Sequence, residues 1–290
     1  MTSRQVIFSA DDFGLSPGVN AGILKAHREG LLTNASLMVN GAAFEEAVEL
    51  ARATPTLSVG LHLVLVQGRS TSSPDQIPGL VDAAGMFSTN PVASGFRYFV
   101  SSRLRPQLER EVCAQLERFL NTGLELSHVD GHLNIHMQPT VLAILLRNAK
   151  RFAIRAVRLP REPLKPSLRL DARDRLRKTA ESIAFRSLCK WAEPRLHDAG
   201  IHHADQMFGL HTSGHMTEAL LLGLLDRLPA GVTEIYSHAS IVDEEARRWR
   251  PADYECEGEL QALLSERVRT TLAQGNIELT SYRQLSHSER

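Results

Sequence analysis

Val6-Ile7-Phe8-Ser9-Ala10-Asp11-Asp12-Phe13-Gly14 is a short apolar run cut off by two carboxylates and a glycine. Val6 to Ala10 reads as a strand, and Asp11 to Gly14 breaks it. Val19 to Glu29 follows with helical spacing, and Gly30 is a stop signal. The same unit recurs outward from there. Strands are expected at Ala35 to Val39, Leu57 to Val66, Leu126 to Val129, Ala156 to Leu159, Val232 to Tyr236 and Asn276 to Leu279. Helical patterns fall between them, at Phe44 to Arg52, Pro106 to Asn121, Pro139 to Lys150 and Glu259 to Ala273. Strand-then-helix alternation argues for an α/β fold with parallel strands and crossover helices. A barrel and a doubly wound sheet both fit. Gly68 to Gly95 reads as a long loop, and Leu164 to His203 as a helical insertion in one domain spanning 1–290.

The totals narrow the function classes. The 290 residues are 43% hydrophobic, enough for a sizeable core. Lys+Arg and Asp+Glu are 33 each, so no global polycation is offered to nucleic acid. Cys113, Cys189 and Cys256 lie far apart without a CxxC pair, which reads as reduced thiols in a cytoplasmic setting. No stretch of eighteen uncharged apolar residues is present, and the start MTSRQVIFSADDF does not read as a signal sequence.

Four polar clusters follow or interrupt expected strands: Asp11-Asp12, His62, the run Ser127 to His136 and His238. Ligands of parallel α/β folds bind at the carboxyl ends of strands, so these clusters converge on one face. Adjacent carboxylates can divide labour, one holding a cation and one serving as base; the plain alternative is a helix cap or turn. His128, Asp130 and His132, two apart on an extended segment, could line one wall. Imidazoles with a carboxylate suit Zn, Ni, Co, Mn or Fe. His62 could be a core histidine; beside the other clusters it reads as a ligand. Arg158 and Arg161 end the fifth strand and could reach the pocket. His211 and His215 suggest a loop or lid. There is no phosphate-binding Gly-rich loop, GxSxG elbow or HExxH.

SADDFGLSPGVNAGI (9–23), LTNASLMVNG (32–41), VGLHLVL (59–65), SHVDGH (127–132), VRLPREP (157–163) and EIYSHA (234–239) together resemble the YdjC-like carbohydrate deacetylases. HLVLVQGR (62–69), IPGLVDAAGMF (77–87) and FGLHTSGHMT (208–217) are similar to its hopanoid-biosynthesis branch. The resemblance implies an irregular (β/α) barrel related to polysaccharide deacetylases. It implies one divalent metal ion, Zn²⁺ or Mg²⁺, held by Asp12, His62 and His132. Asp11 matches the general base and His238 the general acid. Asp130 is expected to orient an imidazole, with His128 as the rival ligand to His132. Arg161 is expected to pair with Asp11. Asn40, His136 and His211 are expected to contact substrate. Asn134 stands where the family often has a histidine, and Ala239 where it often has proline.

The implied reaction is hydrolysis of an N-acetyl group on an amino sugar, lipid-linked in the hopanoid branch. A chitooligosaccharide substrate, another metal-dependent hydrolase such as a phosphoesterase or amidohydrolase, and a non-catalytic sugar- or lipid-binding protein are the alternatives. Between Arg161 and Lys190, nine basic residues face four acidic ones. That segment, about 165–191, could rest on an anionic membrane or pack as a solvated helix. The expected location is cytoplasmic, with peripheral contact at the inner membrane surface. Oligomeric state stays open.

Overall fold

Parallel pairing organises a computed structural model of the chain, which describes residues 3–287. The strands are β1 (Arg4–Phe13), β2 (Asn34–Leu37), β3 (Ser58–Leu63), β4 (Val129–Gly131), β5 (Gln206–Phe208), β6 (Gly231–Ser237) and β7 (Ile277–Leu279). Their order is β4-β3-β2-β1-β6-β5. β6 runs along β1 from Arg4 to Ala10. A strand has two edges, so β2 and β7 share the other. β7 takes Arg4 to Val6 and β2 takes Ser9 to Phe13.

The sheet curls, and irregular contacts bridge its two ends. Val129 bridges Val157, Ala156 bridges His202, and the Met207 N–H donates to the Arg161 carbonyl at 3.0 Å. The result is an irregular (β/α) barrel. Residues Ala156 to Leu159, expected as a full strand, form only these single bridges. The short β5 carries no sequence signal of its own, because its three residues lie beside a run of polar and histidine residues.

Local chemistry explains the elements. From Val6 onward β1 is buried on both faces, as a strand flanked by strands and covered by helices must be. The helix Pro17–Arg28 starts where Ser16 Oγ accepts the Val19 N–H at 3.3 Å, with Pro17 in the first turn. Its Val19, Ile23 and Leu24 are buried against the sheet, each contributing roughly 1.5–3 kcal/mol. The expected insertion is present as helices Leu164–Leu170 and Arg175–Asp198. The expected loop from Gly68 holds no regular strand or helix until Pro91, where the helix Pro91–Val100 begins. Because every strand is parallel, the carboxyl ends of β1, β3, β4 and β6 open on the same side.

Candidate active site

Asp11 and Asp12 are adjacent on a strand, so ordinary pleating would send them to opposite faces. The pairing of β1 with β2 shifts register between Ala10 and Phe13, and Asp12 has φ of 68°. This bulge turns both carboxylates towards one cavity. A non-glycine residue there is strained by about 1–3 kcal/mol, a cost typical of functional sites. Gly14 follows at φ 90°, where a Cβ would sit 3.0 Å from the Met38 carbonyl oxygen, so the turn requires glycine.

The two carboxylates have different partners. Asp11 accepts from Nη1 and Nη2 of Arg158, at 2.8 Å each, and from Ser36 Oγ at 3.2 Å. Asp12 Oδ2 accepts from Arg250 at 3.0 and 3.2 Å. Asp12 Oδ1 is buried without a hydrogen-bond partner. It lies 3.5 Å from His62 Nε2 and 3.4 Å from His132 Nδ1. These three ligand atoms lie within 4.8 Å of one another.

His62 is opposite Asp130 in the β3–β4 register. Its Nδ1–H donates to Asp130 Oδ1 at 2.8 Å, which leaves Nε2 aimed at Asp12. A carboxylate behind an imidazole fixes its tautomer and orientation. Burial pushes the His62 imidazole down, but Asp130, Asp11 and Asp12 overcome this and hold it at about 9. The cluster therefore favours positive charge at its centre, as a proton or as a metal ion. An unpartnered buried carboxylate oxygen facing two ring nitrogens fits a divalent ion.

The second acidic group, Asp11, His62 and Asp130, is compensated by Arg158. Arg158 Nη1 is 2.7 Å from Asp130 Oδ2, and Nε and Nη2 reach Glu234 Oε1 at 3.0 and 2.9 Å. Buried among these carboxylates, Arg158 is held charged despite its desolvation.

His238 follows β6 and lines the same cavity. Its backbone N–H donates to Glu259 at 2.6 Å, and its Nδ1 is buried and unpartnered. Burial drives it down to about 4, with Asp12 opposing and Arg250 assisting. It is neutral at neutral pH.

Several expected placements are corrected. Arg161 pairs with Glu193 at 2.5 Å on the outside, and Arg158 holds Asp11 instead. The extended run ends at Gly131; Leu133 and Asn134 turn at positive φ. His128 lies one layer deeper, stacked on Tyr282 with ring centroids 4.3 Å apart, and does not join His62 and His132. His136 is fully buried, its Nε2–H donating to the Arg158 carbonyl at 2.9 Å, and it lies off the cavity wall. Asn40 bonds the Arg69 carbonyl, also off that wall. His211 is buried behind Glu181, 3.5 Å away, and it is Glu181 that lines the cavity.

The cavity has a volume of about 620 Å³. Its floor is polar: Asp11, Asp12, His62, His132, His238 and Arg250. Its outer walls are apolar, with Val92, Phe96 and Phe99 from one helix and Phe185 and Leu188 from the insertion. Val92, Phe96 and Phe99 are 81%, 68% and 57% exposed. Arg250 and the cavity-lining Tyr254 lie outside every motif quoted above; Ser36 and Glu234 lie inside LTNASLMVNG and EIYSHA, but no spacing there assigns them a role.

The model of a family described as YdjC-like protein matches residues 5–274. The chain belongs to the YdjC-like family. This YdjC-like chain is 32% identical over 282 residues to a carbohydrate deacetylase of Geobacillus stearothermophilus, covering 97% of the chain and 98% of that relative. It is 45% identical to a carbohydrate deacetylase of Brevibacillus brevis over 156 residues, 54% of the chain and 59% of that relative. A crystal structure of an Enterococcus faecalis V583 protein, named provisionally for cellobiose-phosphate cleavage, superposes with a TM-score of 0.78. That likeness is at 25% identity and covers 98% of this chain and 99% of the other.

Proposed function

We propose that this YdjC-like chain is a metal-dependent carbohydrate deacetylase that removes acetate from an N-acetylglucosamine unit. The observation that carries the reading is the division between the adjacent carboxylates. Asp12 turns a free oxygen to two imidazoles, while Asp11 is held by Arg158. The two relatives named as carbohydrate deacetylases support the chemistry.

Asp12, His62 and His132 would hold one divalent ion, with Zn²⁺ and Mg²⁺ the leading candidates. When bound, such an ion supplies Lewis acidity towards a water and an acetyl carbonyl. Asp11 takes the proton as water attacks; Arg158 and Ser36 fix its direction. Asp130 holds His62 in the tautomer that presents Nε2. His238, neutral at rest, lies beside the carboxylates at the cavity floor. As negative charge develops there its proton affinity rises, so His238 takes up a proton from solvent and gives it to the leaving amine, while the proton that Asp11 took from water returns to solvent when the products leave.

The substrate reading extends to a lipid-linked sugar of the hopanoid type. The exposed Val92, Phe96 and Phe99 at the cavity mouth support this, because together they offer more apolar surface than a single sugar ring would cover and suit an apolar aglycone. The insertion supports peripheral contact with an anionic membrane through Lys165, Arg169, Arg175, Arg186 and Lys190, which are exposed. Other cations there have acidic partners: Arg173 and Lys178 share Asp171, and Arg177 pairs with Glu181. No helix among the described residues is long and apolar enough to cross a membrane. We place the protein in the cytoplasm, at the inner surface of the membrane.

The test is acetate release from an N-acetylglucosaminyl lipid and from N,N′-diacetylchitobiose, side by side. Faster release from the lipid supports the full reading. Release from chitobiose alone keeps the chemistry and removes the lipid. Phosphate release from a sugar phosphate, without acetate from either substrate, would replace deacetylation by phosphoester hydrolysis.

A further inference from the structure

Arg250 belongs to no expected motif, yet its guanidinium is placed against the carboxylate at the centre of the site. Its side chain is only 6% exposed. Nε and Nη2 donate to Asp12 Oδ2 at 3.2 and 3.0 Å. Nη1 reaches the His238 carbonyl at 2.9 Å, Ser240 Oγ at 2.8 Å and Cys256 Sγ at 3.3 Å. One planar group therefore ties the end of β1 to the chain leaving β6. It also sits just beyond the helix Glu244–Trp249, beside cavity-lining Trp249, Pro251 and Tyr254.

The two oxygens of Asp12 are consequently unequal. Oδ2 is saturated by Arg250, and Oδ1 is the buried atom without a partner. A carboxylate with both oxygens free can chelate a metal through both and use up a position that water or substrate needs. A carboxylate with one oxygen committed to a guanidinium offers only the other. Lysine is a point charge on a flexible stem and cannot supply two N–H groups to Oδ2 and a third to the His238 carbonyl.

We propose that Arg250 is a positioning residue that limits Asp12 to one-oxygen metal ligation and locks the main chain of His238 to that ligand. This rests on the metal-site reading above. Arg250 acts through Asp12 and His238, whose geometry it sets, while those two face the reacting atoms.

The test uses the full chain stripped of metal by chelator and titrated with Co²⁺ against a chromophoric competitor. Visible spectra are recorded alongside for the wild type, Arg250→Met and Arg250→Lys. The expected result is Co²⁺ binding weakened about 10–100-fold in Arg250→Met, the range found when an outer partner of a metal ligand is removed. Its visible band should lose intensity as Asp12 adds its second oxygen. Arg250→Lys should fall between, and added guanidinium ion should move Arg250→Met back towards the wild-type spectrum. If Arg250→Met does not fold, the lysine variant, which keeps the charge and loses the fork, carries the same test. Wild-type affinity and an unchanged spectrum in the folded variants overturn the proposal while leaving the metal site intact. A wild-type chain that binds no Co²⁺, Zn²⁺ or Mg²⁺ overturns the metal reading, and this proposal with it.

Discussion

Arg158 grips Asp11 through two parallel hydrogen bonds of 2.8 Å, deep inside the barrel. The same guanidinium serves Asp130 and Glu234, so three buried carboxylates share one cation. Removing one partner from such a buried network leaves uncompensated charge, at a cost of about 3–5 kcal/mol. Arg158→Met should lower the unfolding free energy by that order in urea denaturation and remove turnover. Arg158→Lys, with one point charge for three carboxylates, should recover only part of the stability. A stability loss below about 1 kcal/mol in Arg158→Met would mean the carboxylates are protonated or solvated in the folded protein.

The adjacent carboxylates should separate by assay. Asp12→Ala and His62→Ala are expected to abolish divalent-metal binding in calorimetry. Asp11→Asn should bind metal as the wild type does and lose about 10²–10⁴ in kcat, the usual worth of a positioned base. An Asp11→Asn variant at full rate would transfer the base role elsewhere.

His136 is depressed as far as His238 but lies off the cavity wall, so its acid response can be tested apart from the site. Burial drives its imidazole down to about 4, against an ordinary value of 6.5, while Asp130 and the hydrogen bond to the Arg158 carbonyl push weakly the other way. The unfolded chain therefore binds this proton between pH 6.5 and 4 when the folded one does not. The stability from keeping His136 neutral is complete above pH 6.5 and falls away as pH drops towards 4, by about 3 kcal/mol for this group. Urea midpoints from pH 7.5 to 4.5 should fall more steeply in the wild type than in His136→Gln. Parallel curves would remove His136 from the acid response.

The exposed apolar mouth should affect lipid and soluble substrates differently. Phe96→Ser, at a side chain already 68% exposed, should leave folding nearly unchanged. Losing the contact of one aromatic ring with an apolar aglycone should raise KM for the glycolipid roughly tenfold. KM for diacetylchitobiose should stay within about twofold, by the same area argument. Equal effects on both substrates would assign Phe96 to sugar binding instead.

Much of this was legible in the chain because parallel strands put chemistry at their carboxyl ends. The apolar run broken by Asp11-Asp12, and His62 in LHLVLV, mark three side chains that the fold brings to one cavity floor. Asp130 was legible as the partner of an imidazole, and the β3–β4 register shows that the imidazole is His62. Periodicity failed where the backbone leaves regular geometry. The two-residue spacing suggested that His128 and His132 were equivalent. The chain turns after Gly131, so His132 reaches Asp12 while His128 remains a layer below. Arg158 and Arg161 are three apart in an irregular bridge segment, and no sequence period says which faces inward. Arg250 is 238 residues from Asp12, a contact set by the packing of the whole barrel.

Metal-dependent acetate release is the decisive measurement for the Asp12, His62 and His132 site. Purified protein is stripped with chelator, then assayed on an N-acetylglucosaminyl substrate before and after stoichiometric Zn²⁺ or Mg²⁺. The stripped chain should release no acetate, activity should return near one equivalent of metal, and Asp12→Ala should not be restored. Full acetate release from the stripped wild type, or restoration in Asp12→Ala, would rule out a metal-dependent reaction at Asp12.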